Sequence, residues 1–136
     1  MRQTIKLISV IVITLLIYSC GHNSHGESVV TLNNGSKWKA NPETTTGINN
    51  MVQLMNSFTQ TEDSSLFIEL ESNLSNEFNL IFKNCTMKGE AHNQLHNYLF
   101  PMKELFEGLK TNDLNSQKEN FDKLKTHLAS YSIYFE

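Results

Sequence analysis

The 136 residues hold two cysteines, two prolines and one tryptophan. So few cysteines cannot build a disulfide framework, and stability must come from a packed core. Basic residues are not in excess: 11 Lys and Arg stand against 14 Asp and Glu, a formal charge of −3, which argues against nucleic acid as a partner. The longest apolar run, Leu7 to Ile17, is about eleven residues, too short to cross a bilayer core. No internal repeat, strand-like alternation or strong hairpin turn is present. Nor is there a Ser-His-Asp order, a nucleophile elbow, a phosphate loop or a paired-carboxylate motif, so no enzymatic activity is expected. Glu62, Asp63, Glu69, Glu71 and Glu77 are expected on solvated helix faces or at helix starts.

What is present begins with Arg2 and Lys6, the apolar run, and then Ile17-Tyr18-Ser19-Cys20, the layout of an export signal. These four residues resemble the bacterial lipobox, with Ser19 as the small residue before cysteine and Ile17 the aliphatic one three positions earlier. The resemblance implies a lipoprotein: residues 1–19 removed as signal peptide, Cys20 lipidated, and the membrane itself a partner through that lipid. Gly21, where an acidic residue would signal inner-membrane retention, implies an outer-membrane anchor facing the periplasm. Loss of residues 1–19 would take the basic count from 11 to 9 against 14 acids, a net of −5. Residues 20–40 then read as a lipidated tether, because Gly21 to Ser36 is rich in Gly, Ser, Asn and His and has little to bury. His22 and His25 fall in it.

From Asn41 onward the apolar spacing is helical. Asn41-Pro42-Glu43 reads as a helix start, followed by a stripe of Ile48, Met51, Val52, Met55 and Phe58. A second helix over about 64–84 carries Phe67, Leu70, Leu74, Phe78 and Ile81, and the same spacing reaches Cys85. A third, over about 88–110, carries Leu95, Leu99, Met102, Phe106 and Leu109, with His92 on the backward extension. A fourth starts near Ser116, which has capping-box spacing to Glu119, and carries Phe121, Leu124, Leu128, Tyr131 and Phe135. Short connections favour antiparallel neighbours, so residues 41–136 are expected to form an all-α, up-down-up-down antiparallel four-helix bundle. Gly47 and Pro101 interrupt the helical patterns, and Pro101 is expected to kink the third helix.

Cys85, Met87, His92, His96 and Met102 crowd one short segment with side chains that soft and borderline metal ions prefer. In the expected bundle Met51, Cys85, His92, His96 and His127 share one pole. His92 and His96 have His-x-x-x-His spacing, which lets two imidazoles reach one ion. If Cys20 is lipidated, Cys85 is the sole remaining thiol, and an oxidising periplasm makes such a thiol a liability unless it is buried, liganded or paired. Together these residues point to copper or zinc held by Cys85, His92 and His96, helped by Met87 or Met51, in a carrier, buffer or sensor. Glu90 is either a helix-start acid or an orienting partner of a histidine ring.

Two other readings use the same bundle. Methionine early in the first helix and histidine late in the fourth resemble the haem-ligand placement of cytochrome b562. That resemblance implies non-covalent haem b between Met51, or less well Met55, and His127; covalent c-type haem is excluded because Cys-x-x-Cys-His is missing. The remaining reading is an interaction lipoprotein that binds a periplasmic protein. There the apolar tail from Tyr131 to Phe135 either covers the bundle end or forms a contact patch, with Trp38 nearby.

Overall fold

The computed structural model describes residues 29–136. The lipobox-like stretch 17–20 with Cys20, and the tether histidines His22 and His25, lie outside the described residues. Four helices form a bundle: α1 (Pro42–Ser57), α2 (Ser64–Asn84), α3 (Gly89–Leu109) and α4 (Leu114–Ala129). A single turn, α5 (Tyr131–Tyr134), follows. Helix α1 packs most extensively on α2, and α3 on α4. Their inward stripes interlock in one core that includes Ile48, Met51, Phe67, Leu74, Tyr98, Met102 and Leu124, all nearly or fully buried. Each such side chain contributes about 1.5–3 kcal/mol through apolar burial.

The helix ends follow local chemistry, with one shift from expectation. The Asp63 carboxylate accepts from the Ser65 amide at 2.9 Å to open α2. Helix α4 begins two residues before Ser116, because Asp113 caps it by accepting from the Asn115 amide at 3.2 Å. Ser116 is already helical, and its carbonyl accepts from the Asn120 side chain at 2.8 Å. Pro101 lies on the exposed face of α3, and the helix runs on past it to Leu109.

Gly47, which interrupts the pattern of α1, and Gly108 of α3 both mark close helix approaches. A Cβ at Gly47 would lie 2.5 Å from Cγ1 of Ile81, so α1 can sit this close to α2 only with no side chain there. Gly108 of α3 does the same against the amide of Asn120 on α4.

The end of the chain departs from a continuous fourth helix. At Ser130 the hydroxyl and amide both turn back onto the His127 carbonyl, at 2.7 and 3.0 Å, and the helix breaks. Tyr131 and Phe135 then stack in the core with centroids 5.0 Å apart. They cover the bundle end, while Ile133 stays exposed. The break lets Phe135 pair with Trp38. The Trp38 amide donates to the Tyr134 carbonyl at 2.7 Å, the Glu136 amide donates to the Trp38 carbonyl at 2.9 Å, and the Ala40 amide donates to the Glu136 carbonyl at 2.8 Å. Farther back, the Thr31 amide donates to the Gln94 side chain at 2.8 Å. The folded unit therefore extends ahead of residue 41, into a stretch whose composition reads as tether.

Two polar residues are buried at core-facing positions of their helices, Glu71 four residues after Phe67 and Gln117 four before Phe121. Glu71 is 4% exposed, not on a solvated helix face or at a helix start as expected. It accepts from the Ser75 hydroxyl and pairs with Lys110 at 3.4 Å. Burial of a carboxylate is tolerated because both partners satisfy it. Gln117 is fully buried, and its amide nitrogen lies 3.1, 3.0 and 2.7 Å from the carbonyls of Ser64, Leu109 and Thr111, tying α2, α3 and α4 together.

Candidate functional site

Helix α2 stops at Asn84, and only residues 85–88 separate it from α3. Gly89 opens α3 at φ 62°, a left-handed conformation that glycine adopts without strain. The resulting reversal sets Cys85, at the C-cap of α2, against His92 in the first turns of α3. Cys85 Sγ lies 3.6 Å from Nδ1 of His92. His96 follows one turn later, its ring centroid 4.3 Å from that of His92. The two imidazoles therefore stand side by side, with the thiol against the outer one.

Aromatic side chains frame His96. Phe82 of α2 packs edge-on at 5.5 Å and Phe100 of α3 at 5.1 Å, while the Lys103 ammonium lies 5.4 Å from the Phe100 centroid. Partial burial, and then the fields of His92 and Lys103, hold His96 below the ordinary histidine range. Its neutral form, the one that can donate a lone pair to a metal, therefore prevails at neutral pH.

Cys85, His92 and His96 are all half-buried, so the cluster is a surface site. A groove of about 360 Å³ lies elsewhere, between α1 and α2, lined by Leu54, Phe58, Leu66 and Leu70, and no member of the cluster borders it. Two tetrahedral ligands of one zinc ion, a thiolate at about 2.3 Å and an imidazole at about 2.05 Å, stand roughly 3.6 Å apart. The Cys85–His92 separation matches that figure, and it also suits a thiol–imidazole hydrogen bond. Among the described residues no group of three or more His, Cys, Asp and Glu side chains is arranged to hold a metal ion. The arrangement is thus a converging donor pair with a second imidazole alongside.

The remaining candidates are placed as follows. Met87, two residues past Cys85, is partly buried and packs against the core. Met51 is a fully buried core residue. Glu90 is engaged by neighbouring amides, accepting from Gln94 at 2.8 Å and Asn93 at 3.2 Å rather than from a histidine ring.

His127 lies in a different setting. Its Nε2 is 2.8 Å from the Tyr98 carbonyl oxygen, which can only accept, so this nitrogen carries the proton. The ring stacks on Tyr98 with centroids 4.6 Å apart. Tyr98 answers by donating its hydroxyl to the carbonyls of His127 and Leu128, at 3.0 and 3.3 Å. Haem ligation through Nε2 would require breaking this lock.

Phe82 and Phe100, which shape the surroundings of His96, are absent from the apolar stripes of α2 and α3. Their i+4 spacing from Phe78 and His96 was the available signal. Comparison with protein families, with curated proteins and with solved structures finds no match for this chain.

Proposed function

We propose that the chain is an outer-membrane lipoprotein, anchored through Cys20 and facing the periplasm, that binds copper or zinc through Cys85, His92 and His96 with Met87 as a further donor. It would act as a carrier, buffer or sensor rather than as an enzyme. The observation that carries the reading is the 3.6 Å approach of the Cys85 thiol to the His92 imidazole, with the His96 ring beside it. A thiolate and imidazoles together suit both ions.

The site depends on an up-down-up-down order, which the pairings between helices favour. Moving forward along α2, Phe78 meets Phe106 and Phe82 meets His96, and Cys85 then meets His92, so partners on α3 run backward. Likewise Gly47 and Asn50 of α1 face Ile81 and Glu77, and Tyr98 and Gly108 of α3 face His127 and Asn120.

Elemental mass spectrometry of the full chain, exported and purified in detergent, tests the reading. Copper or zinc should co-purify at a constant ratio to protein and disappear in the His92→Ala/His96→Ala protein. Metal-free protein that takes up neither ion, or unchanged affinity in the double variant, would overturn it.

A further inference from the structure

The Cys85 thiol and the His92 imidazole stand at the spacing of two ligands of a tetrahedral ion, which takes four. We infer that a second copy of this chain supplies the other two, so that one zinc ion bridges two chains through Cys85 and His92 of each. This rests on the Cys85 and His92 part of the metal-binding reading above and leaves His96 and Met87 outside the coordination sphere.

Three observations converge on a second copy. The donor pair stands near the surface with both residues half-buried, within reach of a partner. No third His, Cys, Asp or Glu completes the set among the described residues. Beside the pair, Phe82 and Phe100 are 37% and 43% exposed on either side of His96. Aromatic side chains left in water next to an incomplete ligand set form an apolar rim that a contact would cover.

Two-fold symmetry uses these features economically. An isologous contact brings the same patch of each copy together, which turns one Cys-His pair into a Cys₂His₂ set around an ion on the axis. Each Cys85 S–H releases its proton to solvent as the Zn–S bond forms, and nothing is oxidised or reduced. Two thiolates and one Zn²⁺ then sum to zero charge, so the apolar rim closes over a neutral centre rather than a buried charge.

Zinc chloride titrated into the full chain, in excess detergent with a phosphine reductant, tests this. Light scattering reads the mass of the protein component, and elemental analysis reads zinc per chain. The expected result is a doubling of mass at one zinc per two chains, reversed by a chelator. Cys85→Ser and His92→Gln should each lose the doubling while keeping the wild-type helical circular dichroism. The Phe82→Ser/Phe100→Ser protein should need about tenfold more zinc to dimerise. One zinc per chain at unchanged mass overturns the bridge and leaves the metal-binding reading standing. No zinc uptake, with no copper uptake either, removes both. A doubling that survives the chelator but not stronger reduction is a Cys85–Cys85 disulfide and also overturns the bridge.

Discussion

His127 and His92 are both half-buried histidines, yet their surroundings commit them differently. On the α3/α4 side, Nε2 of His127 donates to the Tyr98 carbonyl, and the Tyr98 hydroxyl donates back to the carbonyls of His127 and Leu128. Each partner fixes the other, and the rings stack between them. On the α2/α3 side, Nδ1 of His92 meets a thiol, and His96 meets Phe82, Phe100 and the His92 ring. A buried polar group bonded reciprocally to backbone is structural, because releasing it leaves carbonyls unsatisfied at about 1–3 kcal/mol. Imidazoles facing a thiol and one another instead retain lone pairs that an ion can use. Ligand chemistry is therefore expected on one side and fold stability on the other.

The largest effect separates them outright. His92→Ala/His96→Ala should abolish stoichiometric metal binding while shifting the thermal midpoint of the metal-free protein by no more than a few degrees, read by circular dichroism. A large loss of metal-free stability would place these histidines with His127 as structural residues. Tyr98→Ala is the mirror experiment. It empties a fully buried aromatic site and unlocks His127, and should cost about 3–5 kcal/mol in urea unfolding. Zinc affinity of the folded fraction should be unchanged, and a fall comparable to that of the double variant would erase the distinction.

Gly89→Ala probes the joint that sets Cys85 against His92. The site has open space for a methyl group, so the cost comes from φ 62° alone. About 1–2 kcal/mol is expected for an L-residue held there. If the backbone relaxes instead, stability changes little and the Cys85–His92 approach opens, which weakened zinc binding would reveal. Wild-type stability together with wild-type affinity would mean that this turn does not position the pair.

Much of the bundle was legible because its helices bury continuous apolar stripes: the expected span of α2 matches, and those of α1 and α3 come within a residue or so at their starts. The Cys85–His92–His96 neighbourhood was legible for the same reason, since a short link sets the start of α3 beside the end of α2 and i, i+4 spacing places His96 beside His92. Interactions between distant segments were not. Nothing local to Tyr131 or Phe135 signals a break at Ser130, because the gain comes from pairing with Trp38, roughly a hundred residues earlier. Glu71 looks like a surface acid until Lys110 arrives from the end of α3. Gly47 weakens the helical pattern of α1 when viewed alone, and its use appears only when Ile81 lies against it.

The smallest effect is the pH dependence of stability, and it tests which histidine region is more tightly held. Burial keeps His127 below its ordinary pKa, although its bond to the Tyr98 carbonyl works the other way. The unfolded chain titrates this group near 6.5. On acidification the unfolded state therefore binds the proton first, so the stabilising contribution is complete above about pH 6.5 and is lost as pH falls toward the lowered folded value. Thermal midpoints should decline between pH 7 and 5. Substituting His127→Gln keeps an N–H donor for the Tyr98 carbonyl but removes the titration, and should flatten that decline. His96 is shifted in the same direction, by partial burial and then by His92 and Lys103. Being the more exposed of the two, it should account for the smaller share. If His96→Gln flattens the decline more than His127→Gln does, the α2/α3 side is the more rigidly desolvated region, and the assignment of stability to the α3/α4 side and ligand chemistry to the α2/α3 side reverses.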